Sequence, residues 1–284
     1  MTRFRFLRLD LPEEEPVKSI AQQNRSELGG WFSVLVRQKR DHIKLDALLN
    51  QLSSDSAGEQ DRTLRRIYRL VFPHAFAEEA VLWPAVRRVL PAGHDLTLRV
   101  ELEHQQINEL VTRLESLDHS AHERPETIIA VIELLRMDVR DEEDLLLPRL
   151  HSRLSFAQLR RLGLAWEIVR LVAPTRAHPI VSRRPPGNVL SALPLSVLDR
   201  CRDGVEGLLH RAPEAAAGPL RTVGAALARA SRLVEQLPGM RSGEDPSTRV
   251  ALAPRFGWST AVVAVAGGAA VLLALARHRK RRLG

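Results

Sequence analysis

The chain has 284 residues, of which 44% are hydrophobic and 27% charged, enough for one large or two small folded domains. Its single cysteine, Cys201, excludes an internal disulfide framework and any cysteine-rich zinc or iron–sulfur site. The net charge is +8, yet residues 1–150 hold 21 Lys and Arg against 26 Asp and Glu, while residues 151–284 hold 21 against 8. The basic excess lies in the tail, where acidic membrane lipid is a better partner than DNA, and no nucleic-acid motif is present.

The first part of the chain has the pattern of an all-α protein. Its N-terminal segment, 1–28, is not a secretory signal, because its apolar residues alternate with arginines. Pro73 predicts a kink or break inside the second helix, and Pro125 starts the fourth. Since no segment alternates like a strand, the sequence predicts an up-and-down four-helix bundle. Its four long helices are predicted at 29–53, 58–90, 96–118 and 125–153.

The second part of the chain is predicted to be a helical extension that ends in a membrane anchor. A fifth amphipathic helix at 155–172, with Ser155 as its N-cap, closes the bundle domain, and two short helices broken near Pro213 and Pro219 follow the linker. The predicted segments are the bundle domain 29–173, the Pro-rich linker 174–188, the extension 189–255, a transmembrane helix 256–276 and the basic tail 277–284.

The predicted anchor has 21 uncharged residues, from 256 to 276, and arginines follow it directly. At about 1.5 Å per residue it would span about 31 Å, close to the thickness of a bilayer core. Membrane lipid is therefore an expected partner. Ala264 and Gly268 are four residues apart, a spacing that allows helices to pair, so a homo-oligomer is also considered. Without a secretory signal, the bundle is expected in the cytoplasm, on the membrane surface.

An internal repeat organises the predicted bundle. The segment "DHIKLDALLNQL" at 41–52 is similar to "EHQQINELVTRL" at 103–114, which aligns His42 with His104 at a spacing of 62 residues. Two further segments, "FPHAFAEEAVLWP" and "MDVRDEEDLLLP", align at a spacing of 64 residues on their Glu-Glu and Pro endings. A duplicated helix pair gives approximate two-fold symmetry, so the polar residues on its inner faces meet at the centre.

Six imidazole and carboxylate side chains are predicted to meet there and to bind metal. His74 and Glu78 share one helix face because they are four residues apart, and so do Asp138 and Glu142. Such donors suit two first-row metal ions, and a metal would offset the cost of burying carboxylates. The predicted ligands are His42, His74, Glu78, His104, Asp138 and Glu142. The next residues, Glu79 and Glu143, lie about 140° away from that face and are expected to meet solvent or the outer side of the ligands.

These residues resemble the hemerythrin-like HHE cation-binding family over roughly residues 30–153. The family pattern is His, HisxxxGlu, His, HisxxxGlu, and this chain departs from it at Asp138, where a histidine is expected. The resemblance implies a centre of two non-haem iron ions that binds O₂, nitric oxide or peroxide, or that stores or senses iron. An oxygen ligand at position 138 would favour the ferric state.

Two other functions are kept open. One is a di-iron oxidoreductase, which would turn over repeatedly with a reductant, although a binding or sensing protein is preferred to a catalyst. The other is a metal-free helical scaffold held at the membrane. A single histidine on a helix is more often structural or exposed than a ligand, and seven are given no role: His94, His119, His122, His151, His178, His210 and His278.

Overall fold

The computed structural model describes residues 18–209, 211 and 213–250. Throughout these residues the chain forms helices and turns and contains no strand. The prediction of an all-helical protein is therefore confirmed for the described part of the chain. The predicted membrane helix, 256–276, and the basic tail lie outside the described residues, as does the start of the N-terminal segment. Within the described ranges, no helix is both long enough and apolar enough to cross a membrane.

The bundle is built from four long helical rods, two of which contain one irregular turn. The second and fourth rods each consist of two α-helices joined by a π turn without interruption. In chain order the bundle consists of α1 (Val34–Ser54), α2 (Ala57–Ala77), a first π turn (Glu78–Leu82), α3 (Trp83–Val89), α4 (Gly93–Ser116), α5 (Arg124–Asp141), a second π turn (Glu142–Leu146) and α6 (Leu147–Arg153). The predicted bundle of four long helices is therefore present.

Backbone angles and a capping hydrogen bond fix the start of the first helix. The first helix was predicted to begin at residue 29, but it begins at Val34, because Gly29 and Gly30 adopt φ values of +89° and +87° that a right-handed helix does not allow. Ser33 caps it by accepting a hydrogen bond from the Leu35 N–H at 3.3 Å.

The prolines distort the bundle helices at places that differ from the prediction. Helix α2 continues through Pro73 without a break. The irregular turns instead precede Pro84 and Pro148, and in each the N–H five residues on, at Trp83 or Leu147, donates to the first glutamate's carbonyl. A proline ring clashes with the carbonyl four residues before it, and a wider π turn relieves that clash.

Two apolar layers enclose a polar belt at the middle of the bundle. One layer begins at Leu45 on α1 and includes Phe72, Ile107 and Leu135 on the other helices. The other layer includes Leu35, Ala77, Val100 and Leu146. Between these limits each helix carries buried polar residues instead. The predicted ligands lie in this belt, with apolar packing on both sides that keeps water out.

The remaining helices cover the bundle. Helix α7 (Phe156–Val172) packs on α1 and α2, and the predicted N-cap is confirmed, since Ser155 Oγ accepts from the Gln158 N–H at 3.3 Å. Helices α8 (Gly187–Leu209) and α9 (Glu214–Glu235) form an antiparallel hairpin. The prediction of two short helices was wrong in their length: they have 23 and 22 residues, and Pro219 lies inside α9. A proline this near a helix start removes one backbone hydrogen bond and does not end the helix.

Candidate metal centre

The structure brings all six predicted ligands together in the polar belt. They come from all four rods of the bundle, and each is buried. The π turns supply the two glutamates, and the α-helices supply the other four residues. The ligand role itself stays a prediction, because the geometry shows proximity and not a bound ion. The six are His42 on α1, His74 on α2, Glu78, His104 on α4, Asp138 on α5 and Glu142.

The first group of donors contains two imidazoles and two carboxylates. One atom each from His42, His74, Glu78 and Glu142 lies within 4.8 Å of the others. His42 Nε2 is 3.2 Å from Glu142 Oε2, and His74 Nε2 is 3.0 Å from Glu78 Oε1. A set of two nitrogen and two oxygen donors at this spacing could surround one metal ion.

The second group has one imidazole fewer. His104, Asp138 and Glu142 each offer one atom within the same 4.8 Å limit. His104 Nε2 lies 3.5 Å from Asp138 Oδ1 and 3.8 Å from Glu142 Oε1. The second group is therefore richer in oxygen than the first, as the aspartate at position 138 led us to expect.

Two glutamates connect the groups. Glu142 presents Oε2 to His42 and Oε1 to His104, at 3.2 and 3.8 Å. Glu78 presents Oε1 to His74 and Oε2 to His104, at 3.0 and 3.7 Å. Each carboxylate thus has one oxygen toward each group, which is the arrangement that lets a carboxylate bridge two ions.

The inward atoms fit a cation better than they fit one another. Within the described residues, His42 Nε2, His74 Nε2, both oxygens of Glu78 and Asp138 Oδ1 are buried and make no hydrogen bond. Several are close to a partner, as the distances above show, but their angles do not suit a hydrogen bond. Unpaired buried polar atoms are costly, so a shared positive ion is the partner that this set lacks.

An outer carboxylate orients an imidazole in each group. Glu143 Oε1 is 2.9 Å from His42 Nδ1, and Glu79 Oε1 is 3.0 Å from His104 Nδ1. When the carboxylate accepts from Nδ1–H, it leaves Nε2 free to face the centre. The sequence left open whether Glu79 and Glu143 meet solvent or the ligands, and the structure places both against a ligand histidine.

The π turns explain how consecutive glutamates can both point inward. In a regular α-helix Glu79 would be turned away from the face of His74, as the sequence analysis assumed. The extra residue of the π turn changes that phase, and the exposed fractions of Glu78 and Glu79 are 0% and 1%. Each Glu-Glu pair therefore provides one carboxylate for the centre and one for an outer contact.

Two buried acids were not predicted from the sequence. Asp41 Oδ2 lies 3.6 Å from His74 Nδ1, so it is an outer partner of His74. Glu103 is the counterpart of Asp41 in the repeat. Asp41 faces His74, whereas Glu103 faces Asp138, the residue that takes the place of a second histidine. Burial, with Asp138 and Asp141 adding repulsion, raises the pKa of Glu103 to about 9. The signal was present in the sequence, since each repeated histidine follows an acidic residue.

Without metal, the imidazoles of the centre hold protons tightly. Burial disfavours a charged imidazole, but the close Glu142 and Glu143 carboxylates outweigh it and raise the pKa of His42 to about 9. Burial has the same effect at His74, where Glu78 and Asp41 raise the pKa to about 10. Metal ligands must be deprotonated, so metal binding would release these protons.

The acids of the centre divide into two kinds. Burial favours the neutral form of Glu142, but the close His104 and His42 imidazoles prevail and lower its pKa to about 2. Burial raises the pKa of Asp138 well above its usual value, and the nearby Glu142 and Glu78 charges raise it further. Glu142 is thus already an anion, while Asp138 depends on a bound cation to become one.

A small cavity adjoins the ligands. Its volume is about 20 Å³, enough for one water molecule or a similarly small ligand. Asp41 and apolar residues form the rest of its wall, and the lining includes His42, His74, His104, Asp138, Asp41, Leu45, Leu70, Val71 and Leu135. On the outer side of His42, a larger cleft of about 420 Å³ is lined by His42, Ile43 and Glu143. His42 therefore stands between the cleft and the inner cavity.

The segment before α8 contacts the back of the second donor group. Arg183 Nη1 is 3.6 Å from Glu79 Oε1, the oxygen that meets His104. Asn108 joins the same region, because its side chain donates to the His104 carbonyl at 2.8 Å and accepts from the His178 N–H at 2.9 Å. The extension is therefore connected to a ligand helix through buried polar contacts.

His178 was given no role from the sequence, yet it is buried between two acids. Its Nε2 is 3.0 Å from Asp199 Oδ2 on α8, and its Nδ1 is 2.9 Å from Glu235 Oε1 on α9. Burial lowers its proton affinity, but these two carboxylates prevail and raise the pKa of His178 to about 10. The imidazolium joins both helices of the hairpin to the segment that lies on α4.

The four rods and their inward donors define a helical metal-binding domain. Residues 34–150 match the family model described as the hemerythrin HHE cation-binding domain. This match confirms the resemblance seen in the sequence motifs for residues 34–150.

A curated protein from Nostoc sp. (strain PCC 7120 / SAG 25.82 / UTEX 2576), described as a DNA nickase, is 26% identical to this chain over 121 residues. The matched region is 42% of this chain and 34% of that protein, so the chain spans about a third of the length of this relative. No solved structure matches the chain.

Proposed function

We propose that this protein binds two non-haem iron ions in its HHE domain and uses them to bind or sense a small ligand such as O₂, nitric oxide or peroxide, or to sense iron itself. The observation that carries the proposal is the pair of glutamates, Glu78 and Glu142, each with one oxygen toward each donor group. Each carboxylate therefore has an oxygen available to each of two ions. Nitrogen and carboxylate donors together suit iron, and helical bundles hold paired iron ions with such residues.

The surrounding residues support binding of a small ligand better than turnover of a large substrate. The inner cavity of about 20 Å³ leaves no room for an organic substrate beside the ligands. Bound iron would supply an open coordination position and the ability to change oxidation state. The chain's own residues then orient the imidazoles through Glu79 and Glu143, exclude water with the two apolar layers, and admit ligands past His42.

The direct test is elemental analysis of the full-length protein, purified without oxygen from cells supplied with iron, together with its optical spectrum. We expect about two iron ions per chain and a spectrum that changes when O₂ or nitric oxide is added. Metal well below one ion per chain would contradict the proposal and favour the metal-free scaffold. Repeated turnover of peroxide with a reductant, in place of stoichiometric uptake, would favour the oxidoreductase.

We propose no action on DNA from the likeness to the Nostoc protein. The similarity leaves about two thirds of that protein unmatched. The half of this chain that contains the matching domain has more acidic than basic residues, 26 against 21, and DNA binding draws mainly on contacts from basic residues to phosphates.

A further inference from the structure

A second cavity, separate from the metal centre, lies where the bundle meets the extension. Its volume is about 250 Å³. Its wall is formed by α2, the end of α4, the start of α5, the segment before α8, and α8 itself. Tyr68 on this wall is six residues before His74, about 9 Å along the helix axis, so the cavity is in a different layer of the bundle. Four of its lining residues are arginines: Arg65, Arg124, Arg176 and Arg202.

The acidic residues of this cavity are already engaged with two of the arginines. Arg124 Nη2 is 2.5 Å from Asp61 Oδ1, and Arg176 Nη2 is 2.7 Å from Glu206 Oε2. Glu115 also faces Arg176, at 3.4 Å. These pairs leave no carboxylate of the wall in direct contact with Arg202.

Arg202 is a partly buried cation without a partner. Within the part of the chain that the structure describes, its guanidinium makes no hydrogen bond and no ion pair. Burial lowers the pKa of Arg202 and the neighbouring Arg176 lowers it further, and together they outweigh the opposite effect of the Glu115, Asp199 and Glu206 charges. A guanidinium that is removed from water without an anion is costly, so this position calls for a negatively charged partner.

Two further donors on the same wall lack acceptors. Tyr68 is a buried residue whose hydroxyl makes no hydrogen bond to any described residue, and Nε of the Arg176 guanidinium is buried and makes none. Burial and the Glu115 charge raise the pKa of Tyr68 above its usual value, so the phenol keeps its proton and can donate it. Three donor groups on one cavity wall thus lack acceptors.

We propose that this cavity is a binding site for a small oxyanion, either a phosphate or a carboxylate group of a soluble metabolite, held by the Arg202 guanidinium and the Tyr68 hydroxyl. A planar guanidinium can donate two parallel hydrogen bonds to either group, and the phenol adds a third donor. Because Tyr68 belongs to the bundle and Arg202 to α8, an occupant would join the extension to the bundle.

The test is calorimetric titration of the full-length protein in mild detergent with sodium phosphate and, separately, with sodium succinate, at an ionic strength held constant with sodium chloride. We expect saturable binding of at least one of the two anions. Arg202→Gln and Tyr68→Phe should each weaken it about ten-fold or more, since a hydrogen bond to a charged group is worth about 1.5–3 kcal/mol. The matched control is Arg113→Gln, because Arg113 is an exposed arginine paired with Glu123 at 2.9 Å, and it should bind like the original protein.

Absence of saturable binding of both anions would overturn the proposal, and so would equal affinity in all three variants. Tyr68→Phe removes one hydroxyl and keeps the ring, so it gives a result even if Arg202→Gln does not fold. Metal content measured on the same samples should not change between the variants. A failure here is therefore distinguishable from a failure of the proposed metal function.

Discussion

At the scale of single residues, we expect metal occupancy and melting temperature to depend most on the buried histidines whose inward nitrogens make no hydrogen bond to a described residue. His74 is buried beside Glu78 and Asp41, and its Nε2 makes no hydrogen bond to any described residue. We expect His74→Ala to lower metal occupancy and to lower the melting temperature by about 5–10 °C, because a ligand present at 100 times its dissociation constant stabilises by about 2.7 kcal/mol. Metal analysis and thermal melting of the full-length protein measure both effects.

The control for this change is His119→Ala, because the side chain of His119 is 75% exposed and lies outside the metal centre. It should leave both occupancy and melting temperature unchanged. The same loss in both variants would argue that His74 acts only as a packing residue.

Asp138 should set the redox preference of the second donor group. Replacing it by histidine restores a second imidazole and gives Glu103 a donor in place of a like charge. We expect Asp138→His to raise the reduction potential, because a neutral nitrogen ligand stabilises the ferric state less than an anionic oxygen does. Spectroelectrochemical titration measures the shift. Asp144→His, at a nearby exposed position, is the control, and an unshifted potential in Asp138→His would place that carboxylate outside the coordination sphere.

His178 should make the stability of the protein depend on pH. Its pKa is about 10 in the folded protein, above the usual 6.5, so its stabilising effect is complete below about pH 6.5 and is lost as the pH rises toward 10. The slope would be at most about 1.4 kcal/mol per pH unit. We expect the fall in melting temperature from pH 6.5 to pH 9 to be smaller in His178→Gln than in the original protein.

The comparison for that measurement is His122→Gln, at an exposed position. It should keep the full pH dependence. If His178→Gln and His122→Gln both follow the original protein, the imidazolium does not contribute to stability through its two carboxylates.

The six candidate ligands were predictable because the repeat marks all six and a spacing of four residues along a helix marks four of them, His74 with Glu78 and Asp138 with Glu142. The other participants were not. Arg183 reaches Glu79, and His178 reaches Glu235, across more than fifty residues of sequence, and neither Arg183 nor His178 lies in the repeat. Asp41 and Glu103 carried a signal, an acid before each repeated histidine, but the local pattern does not reveal which imidazole each one faces.

At the scale of helices, the apolar period located the rods of the bundle but not their irregular turns. The period reports which residues share a face, so it is nearly unchanged by one extra residue near the middle of a long helix. It therefore could not distinguish a π turn before Pro84 from a kink at Pro73. In the extension, a break was predicted near Pro213 and Pro219; Pro213 does precede α9, but Pro219 lies inside it, and α8 and α9 bury apolar residues against each other. Packing between the two helices outweighs the lost backbone bonds.

At the scale of the whole molecule, charge and hydrophobicity are segregated along the chain. The part that contains the bundle is acidic, and the part that follows it is basic and includes the uncharged stretch at 256–276. We propose that this stretch anchors the protein in a membrane with the bundle in the cytoplasm. Trp258 would then lie near one membrane–water interface, and the arginines that follow residue 276 would lie near the other.

Cell fractionation of the full-length protein and of a truncation to residues 1–250 tests the anchor. We expect the full-length protein in the membrane fraction and the truncation, if it folds, in the soluble fraction. Recovery of the full-length protein from the soluble fraction would refute anchoring. Protease added to intact cells tests orientation separately, since a cytoplasmic bundle should be protected and an external one digested.

The two π turns also constrain how the gene for this protein can change. From Glu78 to Pro84 and from Glu142 to Pro148 the chain advances six residues in both halves of the repeat, although three of the five residues between them differ. Loss or gain of a single codon there would rotate the rest of the helix by about 100° and turn Trp83 or Leu147 out of the core. Substitutions between the two glutamates and the proline are therefore tolerated better than insertions or deletions. The duplicated halves can diverge in sequence while they keep the same length.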